Sequence, residues 1–190
     1  MTNTHPMFLI GERLYLRPLE KSDLGVLQAW ANDPELRGLT GETMPLSHVG
    51  MEEFFERVRT DRDRVWFVVV NKETDQVIGE AGLLRMFYAW RTTDLSIILG
   101  DKTAWGKGFG TETINLLLDY AFGHLNSHRI SIGVIGSNAR ALRFYEKVGF
   151  KREGLQRDGY YYDHAYQDFV MMSILEDEYR DSPAARKMKS

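Results

Sequence analysis

Trp105-Gly106-Lys107-Gly108-Phe109-Gly110-Thr111-Glu112 follows an apolar run, Leu95 to Leu99, and opens an amphipathic helical pattern. Glycines at every second position allow backbone angles closed to other residues and let a ligand approach the chain closely. From Thr111 to Phe122, the side chains of Ile114, Leu117, Leu118, Ala121 and Phe122 share one face at a 3.6-residue period. A glycine turn that runs into a helix start gathers several N–H groups at the positive end of the helix dipole. Such a cradle suits a phosphate or pyrophosphate.

Two common phosphate loops do not fit. A Walker A loop needs Ser or Thr after Gly-Lys, whereas Gly108 follows Gly106-Lys107. A dinucleotide fingerprint needs Gly where Thr111 stands. The glycines alone would serve equally well as an ordinary turn between strand and helix, so the decision rests on a second stretch. Asn138-Ala139-Arg140-Ala141-Leu142-Arg143-Phe144-Tyr145-Glu146-Lys147-Val148-Gly149-Phe150 reads as a short helix. Ser137 or Asn138 caps it, Ala141, Leu142, Tyr145 and Val148 share a face, and Gly149 suits the left-handed residue that ends it.

Together the two stretches resemble the GNAT N-acetyltransferases, in the branch of the ribosomal-protein N-terminal and bacterial spermidine acetyltransferases. The glycine stretch is similar to their acyl-CoA loop, with Trp105 where Gln or Arg is usual. The Asn-x-x-Ala-x-x-x-Tyr-Glu-Lys-x-Gly-Phe pattern from Asn138 is similar to their second CoA-contacting helix. The tail Tyr166 to Leu175 resembles their final strand. The resemblance implies acetyl-CoA as cosubstrate, held by Trp105, Gly106, Lys107, Gly108, Phe109, Gly110 and Thr111. It also implies that Ile97, Ile98 and Leu99 pair with the pantetheine amides, that Asn138 contacts the pantetheine arm or neighbouring backbone, and that the Tyr145 hydroxyl faces the thioester sulfur.

Composition narrows the partners. The 190 residues, 43% of them hydrophobic, suit a single domain over 8–180 with a flexible tail over 181–190. A formal charge of −3 gives no basic field for nucleic acid or an anionic membrane. With no cysteine, disulfides, thiolate metal sites and a cysteinyl acyl intermediate are excluded. No apolar run approaches the roughly 20 residues of a membrane span, and Met1 to Pro6 lacks the pattern of a signal peptide. The expected setting is the cytoplasm, the expected metal none, and a homodimer is suggested by aromatic content and family habit.

Along the chain, Leu14–Leu19 alternates as a first strand, and Ser22 is expected to cap a helix that stops before Pro34. Gly38 to Ser47 reads as loop, and Val49 to Arg59 as a second helix. Trp66–Val70 and Val77–Met86 form a hairpin, Thr93–Leu99 the strand before the cradle, and Arg129–Ile135 a fifth strand. Lys151–Leu155 and Ala165–Leu175 follow around an Arg157–His164 loop. The fold class is a mixed α/β (α+β) sheet, mostly antiparallel and flanked by helices.

Acetyl transfer needs a held thioester, a neutral amine, stabilisation of an oxyanion and a proton for the leaving thiolate. A strand N–H beside the thioester can polarise its carbonyl. Tyr145 would hydrogen-bond the sulfur or protonate it. Asp94 stands where the resembled branch has Glu and is the first candidate base. Glu80, within Gly79-Glu80-Ala81-Gly82, is the second, and either carboxylate would equally serve as a solvated strand residue. His124 and His128 have a metal-like spacing but lack a third ligand. The clusters Phe87, Tyr88, Trp90 and Tyr160, Tyr161, Tyr162 suit equally the wall of an amine cleft and an aromatic hairpin edge or dimer contact. The acceptor is a small amine or a peptide N-terminus, attacked in a ternary complex. A non-catalytic CoA-binding or regulatory protein is the alternative.

Overall fold

The computed structural model describes residues 6–182. Strand β3 (Val65–Asn71) lies inside the sheet, and its alternation sends Phe67 and Val69 to one face and Trp66, Val68 and Val70 to the other. Both faces are covered, which is why the run is apolar throughout. Antiparallel to it lie β2 (Leu14–Pro18) on one side and β4 (Gln76–Phe87) on the other. β5 (Thr92–Ile98) continues from β4 as a hairpin, and β6 (Arg129–Ile135) runs parallel to β5. β8 (Ala165–Leu175) and β7 (Lys151–Tyr162) complete the far edge, and the two-residue β1 (Leu9–Ile10) completes the near one. The order across the sheet is β1-β2-β3-β4-β5-β6-β8-β7.

On one face, α4 (Phe109–Gly123) makes the crossover between parallel β5 and β6 and buries Ile114, Leu117, Leu118, Ala121 and Phe122. α5 (Ala139–Val148) lies beside it. On the other face, α1 (Leu24–Ala31) and α3 (His48–Thr60) enclose a second, smaller core around Leu24, Leu27, Met51 and Val68, and α2 (Pro34–Thr40) lies against α1. A short α6 (Glu176–Arg180) follows β8 and buries Tyr179.

Four details depart from the sequence reading. The start of α1 is organised by Asp23 rather than Ser22. The Asp23 carboxylate accepts from the Glu20 N–H at 2.9 Å and holds the buried Arg17 guanidinium through two 2.8 Å bonds. Pro34 does not merely stop a helix but opens the next one, because Asp33 caps the N–H groups of Glu35 and Leu36 at 3.0 Å. Gly38 to Thr40 is therefore helical, and the connection begins at Gly41, which takes φ 85° as the cap. Finally, the Arg157–His164 loop is mostly strand. β7 runs on to Tyr162 across two register shifts, leaving only Asp163 and Asp163's neighbour His164, both at positive φ, to turn the chain. Of the tail expected over 181–190, Asp181 and Ser182 close α6 through backbone bonds, and the remainder lies outside the described residues, as do Met1 to His5.

Candidate active site

The parallel pair β5 and β6 is joined only from Thr92↔Arg129 to Asp94↔Ser131. Beyond that point β5 stays registered with β4 as far as Glu80↔Ile98, while β6 stays with β8 as far as Ile135↔Phe169. The two strands part, and the facing edge of Leu95–Ile98 has backbone groups with no strand opposite. Such an edge recruits an extended ligand by the same bonds that would recruit a strand. A cavity of about 940 Å³ runs through the gap, from the glycine loop on one face of the sheet to α1, α2 and α3 on the other.

The glycine loop forms one end. Gly106 and Gly108 take φ of 73° and 85°, which side-chain-bearing residues rarely adopt, and Gly108 is the residue from which α4 starts. Gly110 lies against Phe144 of α5, where an added Cβ would stand 3.3 Å from the ring. α4 begins two residues before Thr111, so the N–H groups of its first turn belong to the loop itself. The expected cofactor residues divide accordingly. Trp105, Gly106, Gly108, Gly110 and Thr111 line the cavity, as do Ile97, Ile98 and Leu99. The Phe109 ring does not; it is buried in the main core beneath the Arg13 guanidinium, leaving its backbone to the cradle. Nor does Lys107 line the cavity; its side chain is exposed and its carbonyl accepts from Arg13 at 2.8 Å.

Trp105, expected at the start of the loop, ties it to the strand before it. Its indole N–H donates to the Leu99 carbonyl at 2.7 Å, tying the end of β5 to the loop. The Arg140 guanidinium lies over its ring, 4.3 Å from the centroid, and so brings a cation to the cavity wall. Glu112 faces away from the cavity. It accepts from the Arg13 N–H at 2.8 Å and pairs with the Arg13 side chain, fastening the start of α4 to the turn before β2.

Asn138 caps α5, accepting from the Ala141 N–H at 3.0 Å, and donates to the Leu39 carbonyl at 3.3 Å. It lines the cavity and joins α5 to the end of α2. One helical face of α5 carries Leu142, Tyr145 and Val148 inward. Tyr145 is 6% exposed, packed against Phe144 and Phe150, and lines the cavity. Burial pushes its phenol well above the usual range, so it stays protonated.

Both candidate carboxylates line the cavity, on the sheet face toward α1 and α3. Their surroundings differ. Glu80 is 9% exposed and its Oε2 accepts from the Trp66 indole N–H at 2.7 Å. Burial raises its carboxyl to about 7, a shift opposed but not cancelled by the Trp66 bond. Trp66 reaches it because its cross-strand partner is Gly82: a Cβ there would stand 2.4 Å from the indole. Asp94 is partly exposed and ion-paired with Arg85 at 2.5 Å. Arg85 takes φ 51° where the β4–β5 register breaks, and this brings its guanidinium to Asp94. The Glu80–Trp66 pair was missed by sequence reasoning. Its one local signal is a Gly82 placed opposite a tryptophan in a predicted hairpin.

Neither aromatic cluster lines the cavity. Phe87, Tyr88 and Trp90 are exposed at the β4–β5 turn, while Tyr160 and Tyr162 pack beside Gly41 and Gly38 of the α2 segment. His124 ends α4 against the Tyr120 ring, and His128 lies beyond the helix near Glu176. Among the described residues, no three or more His, Cys, Asp or Glu are grouped to hold a metal, and no helix is long and apolar enough to cross a membrane.

Residues 13–151 match the family model of the acetyltransferase (GNAT) domain. The uncharacterized N-acetyltransferase p20 of Bacillus licheniformis is 32% identical over 175 residues, covering 90% of this chain and 97% of the relative. The crystal structure of spermidine N-acetyltransferase from Vibrio cholerae in complex with CoA and spermine superposes with a TM-score of 0.84 at 31% identity, covering 89% of this chain and 99% of that one. A dodecameric structure of the same Vibrio cholerae enzyme gives a TM-score of 0.78 at 32% identity, covering 89% and 97%. A sheet that parts beside a glycine loop and a helix carrying Tyr145 thus coincide with a family match over most of the chain, and the protein is an N-acetyltransferase of the GNAT family.

Proposed function

We propose that the enzyme moves an acetyl group from acetyl-CoA to a primary amine by direct attack in a ternary complex. The observation that carries this reading is the parting of β5 from β6 after Asp94↔Ser131, with the glycine loop at one end of the gap and buried Glu80 toward the other. The cavity fits the cosubstrate: the space at Gly106 is open, the first turn of α4 offers N–H groups to a pyrophosphate, and Arg140 adds a cation. The free edge of Leu95–Ile98 would pair with the pantetheine amides, and one of its N–H groups would polarise the thioester carbonyl.

Glu80 is the base in this reading. A lysine-like amine ionises near 10.4, so a carboxylate of ordinary pKa takes its proton uphill by about 8 kcal/mol. Raising the carboxyl to about 7 reduces that climb to about 5 kcal/mol, while leaving the group ionised at neutral pH in a useful fraction. Asp94, ion-paired with Arg85, positions the strand edge instead. Tyr145 stabilises the leaving thiolate by hydrogen bonding. Its raised pKa makes complete proton transfer to sulfur still less favourable than for an ordinary phenol.

Buried, raised and aimed at the cavity, Glu80 is hard to account for in a CoA-binding protein without catalysis. Self-association of this chain is proposed on its likeness to the dodecameric relative, and sedimentation tests it. The transfer itself is tested by thiol release from acetyl-CoA across polyamines, arylalkylamines, amino acids, amino sugars and short peptides. Absence of release with every amine, despite acetyl-CoA binding, would leave the non-catalytic alternative standing.

A further inference from the structure

We propose that the amine acetylated by this enzyme carries one cation on an apolar body, as an arylalkylamine does, rather than the several cations of a polyamine. The proposal rests on the acetyl-transfer reading above. On the Glu80 side of the sheet the cavity is walled by Leu27, Leu36, Leu46, Met51, Phe54 and Trp66. Phe54 and Trp66 meet edge to face at 5.4 Å, so an aromatic ring entering here finds rings already set against one another.

The carboxylates that a second ammonium would need are partly occupied. Glu42 turns its Oε1 back onto the N–H groups of Thr43 and Met44, at 3.0 and 3.1 Å. Asp94 is neutralised by Arg85 at 2.5 Å. Glu80 is required for the reacting amine, and it accepts the Trp66 indole N–H. Arg57, on α3, adds a positive charge at the same wall. A polyamine placed with one amine at Glu80 would therefore set its remaining ammonium groups among apolar side chains and a guanidinium, with one oxygen of exposed Glu42 and an already paired Asp94 to meet them, so part of their hydration is lost without full replacement. An apolar body gains where the polyamine loses, because ring and wall both leave water.

The test is steady-state thiol release from acetyl-CoA with 2-phenylethylamine and with spermidine. The expected result is a kcat/KM at least about tenfold higher for 2-phenylethylamine, a margin that burial of part of one ring supplies. In Phe54→Ala the KM for 2-phenylethylamine should rise several-fold with kcat nearly kept, a larger loss than spermidine suffers. Equal or better use of spermidine by the unchanged enzyme overturns the proposal and leaves acetyl transfer intact. So does release with some other amine of the panel but not with 2-phenylethylamine. A Phe54→Ala loss shared equally by both amines, in a variant that melts with the parent, also overturns it, since the ring then favours neither amine. No release with any amine overturns the acetyl-transfer reading and this proposal with it.

Discussion

The Trp66 indole N–H donates to Glu80 Oε2 at 2.7 Å across adjacent strands, and it is the bond that keeps a buried carboxylate within reach of ionisation. Without it, burial would lift the carboxyl further. With it, the carboxyl stands at about 7.

The pH dependence of kcat/KM should therefore rise through an acidic limb near pH 7, set by deprotonation of Glu80 and separate from the ionisation of the amine itself. Glu80→Gln should lower kcat/KM by about a hundredfold or more and erase that limb. Asp94→Asn should keep it. A limb that vanishes in Asp94→Asn and survives in Glu80→Gln would exchange the roles of the two carboxylates.

The same residue links pH to stability. The folded-state pKa of Glu80 is raised from an ordinary 4.5 to about 7, so the native state holds a proton that the unfolded chain releases. Its contribution is fully present below pH 4.5 and is lost as pH rises through 7. Above that pH the ionised carboxylate costs the fold roughly 3 kcal/mol at most, by the conversion of pKa shift to free energy. Glu80→Gln should accordingly raise the melting temperature at pH 8 and change it little at pH 4.5. Denaturation monitored at the two pH values reads the difference; a Gln variant no more stable than the parent at pH 8 contradicts the assigned burial cost.

What the sequence disclosed and what it withheld divide along physical lines. The glycine loop and the Asn138–Phe150 helix were legible because their requirements are local: positive φ at Gly108 and Gly149, a side-chain cap at Asn138, one apolar face. The relative standing of Glu80 and Asp94 was not legible, since it depends on partners distant in sequence. Trp66 lies fourteen residues from Glu80 and reaches it over Gly82, while Arg85 reaches Asp94 only because the hairpin register breaks. The direction of a side chain within the loop was equally hidden. Phe109 turned inward because its place on α4 falls on the buried face, under Arg13. A local signal also misled where it has two uses: Asp33-Pro34 ends one helix and starts another.

Tyr145→Phe should keep the ring packing with Phe144 and Phe150, so stability and acetyl-CoA affinity should change little. The turnover number should fall about ten- to a thousandfold, the lower part of the range for such groups, because hydrogen bonding to the thiolate is lost rather than a full proton transfer. No basic limb of kcat should appear near pH 10 in the unchanged enzyme, since burial holds the phenol protonated beyond that point. Unimpaired turnover in the variant would reduce Tyr145 to a core aromatic.

The cradle is tested by ligand-induced stabilisation. At a hundred times its dissociation constant, acetyl-CoA should stabilise the native state by about 2.7 kcal/mol. In a chain of this size that amounts to a rise of roughly 5–10 °C in melting temperature. Gly108→Val forces a β-branched residue to φ 85° at the start of α4, and Gly110→Val drives methyl groups toward the Phe144 ring, where even a Cβ stands at 3.3 Å. Both variants should melt lower without ligand, by an amount in keeping with about 1–2 kcal/mol of left-handed strain in the first case. More tellingly, both should lose most of the acetyl-CoA shift, because the backbone N–H groups no longer converge. Gly25→Ala supplies the control: the site has open space around it on α1, so the variant should be no less stable and should keep the full shift. If Gly108→Val and Gly110→Val fold and retain the parental shift, the ligand is held elsewhere, and the loop is only the turn that leads from β5 into α4.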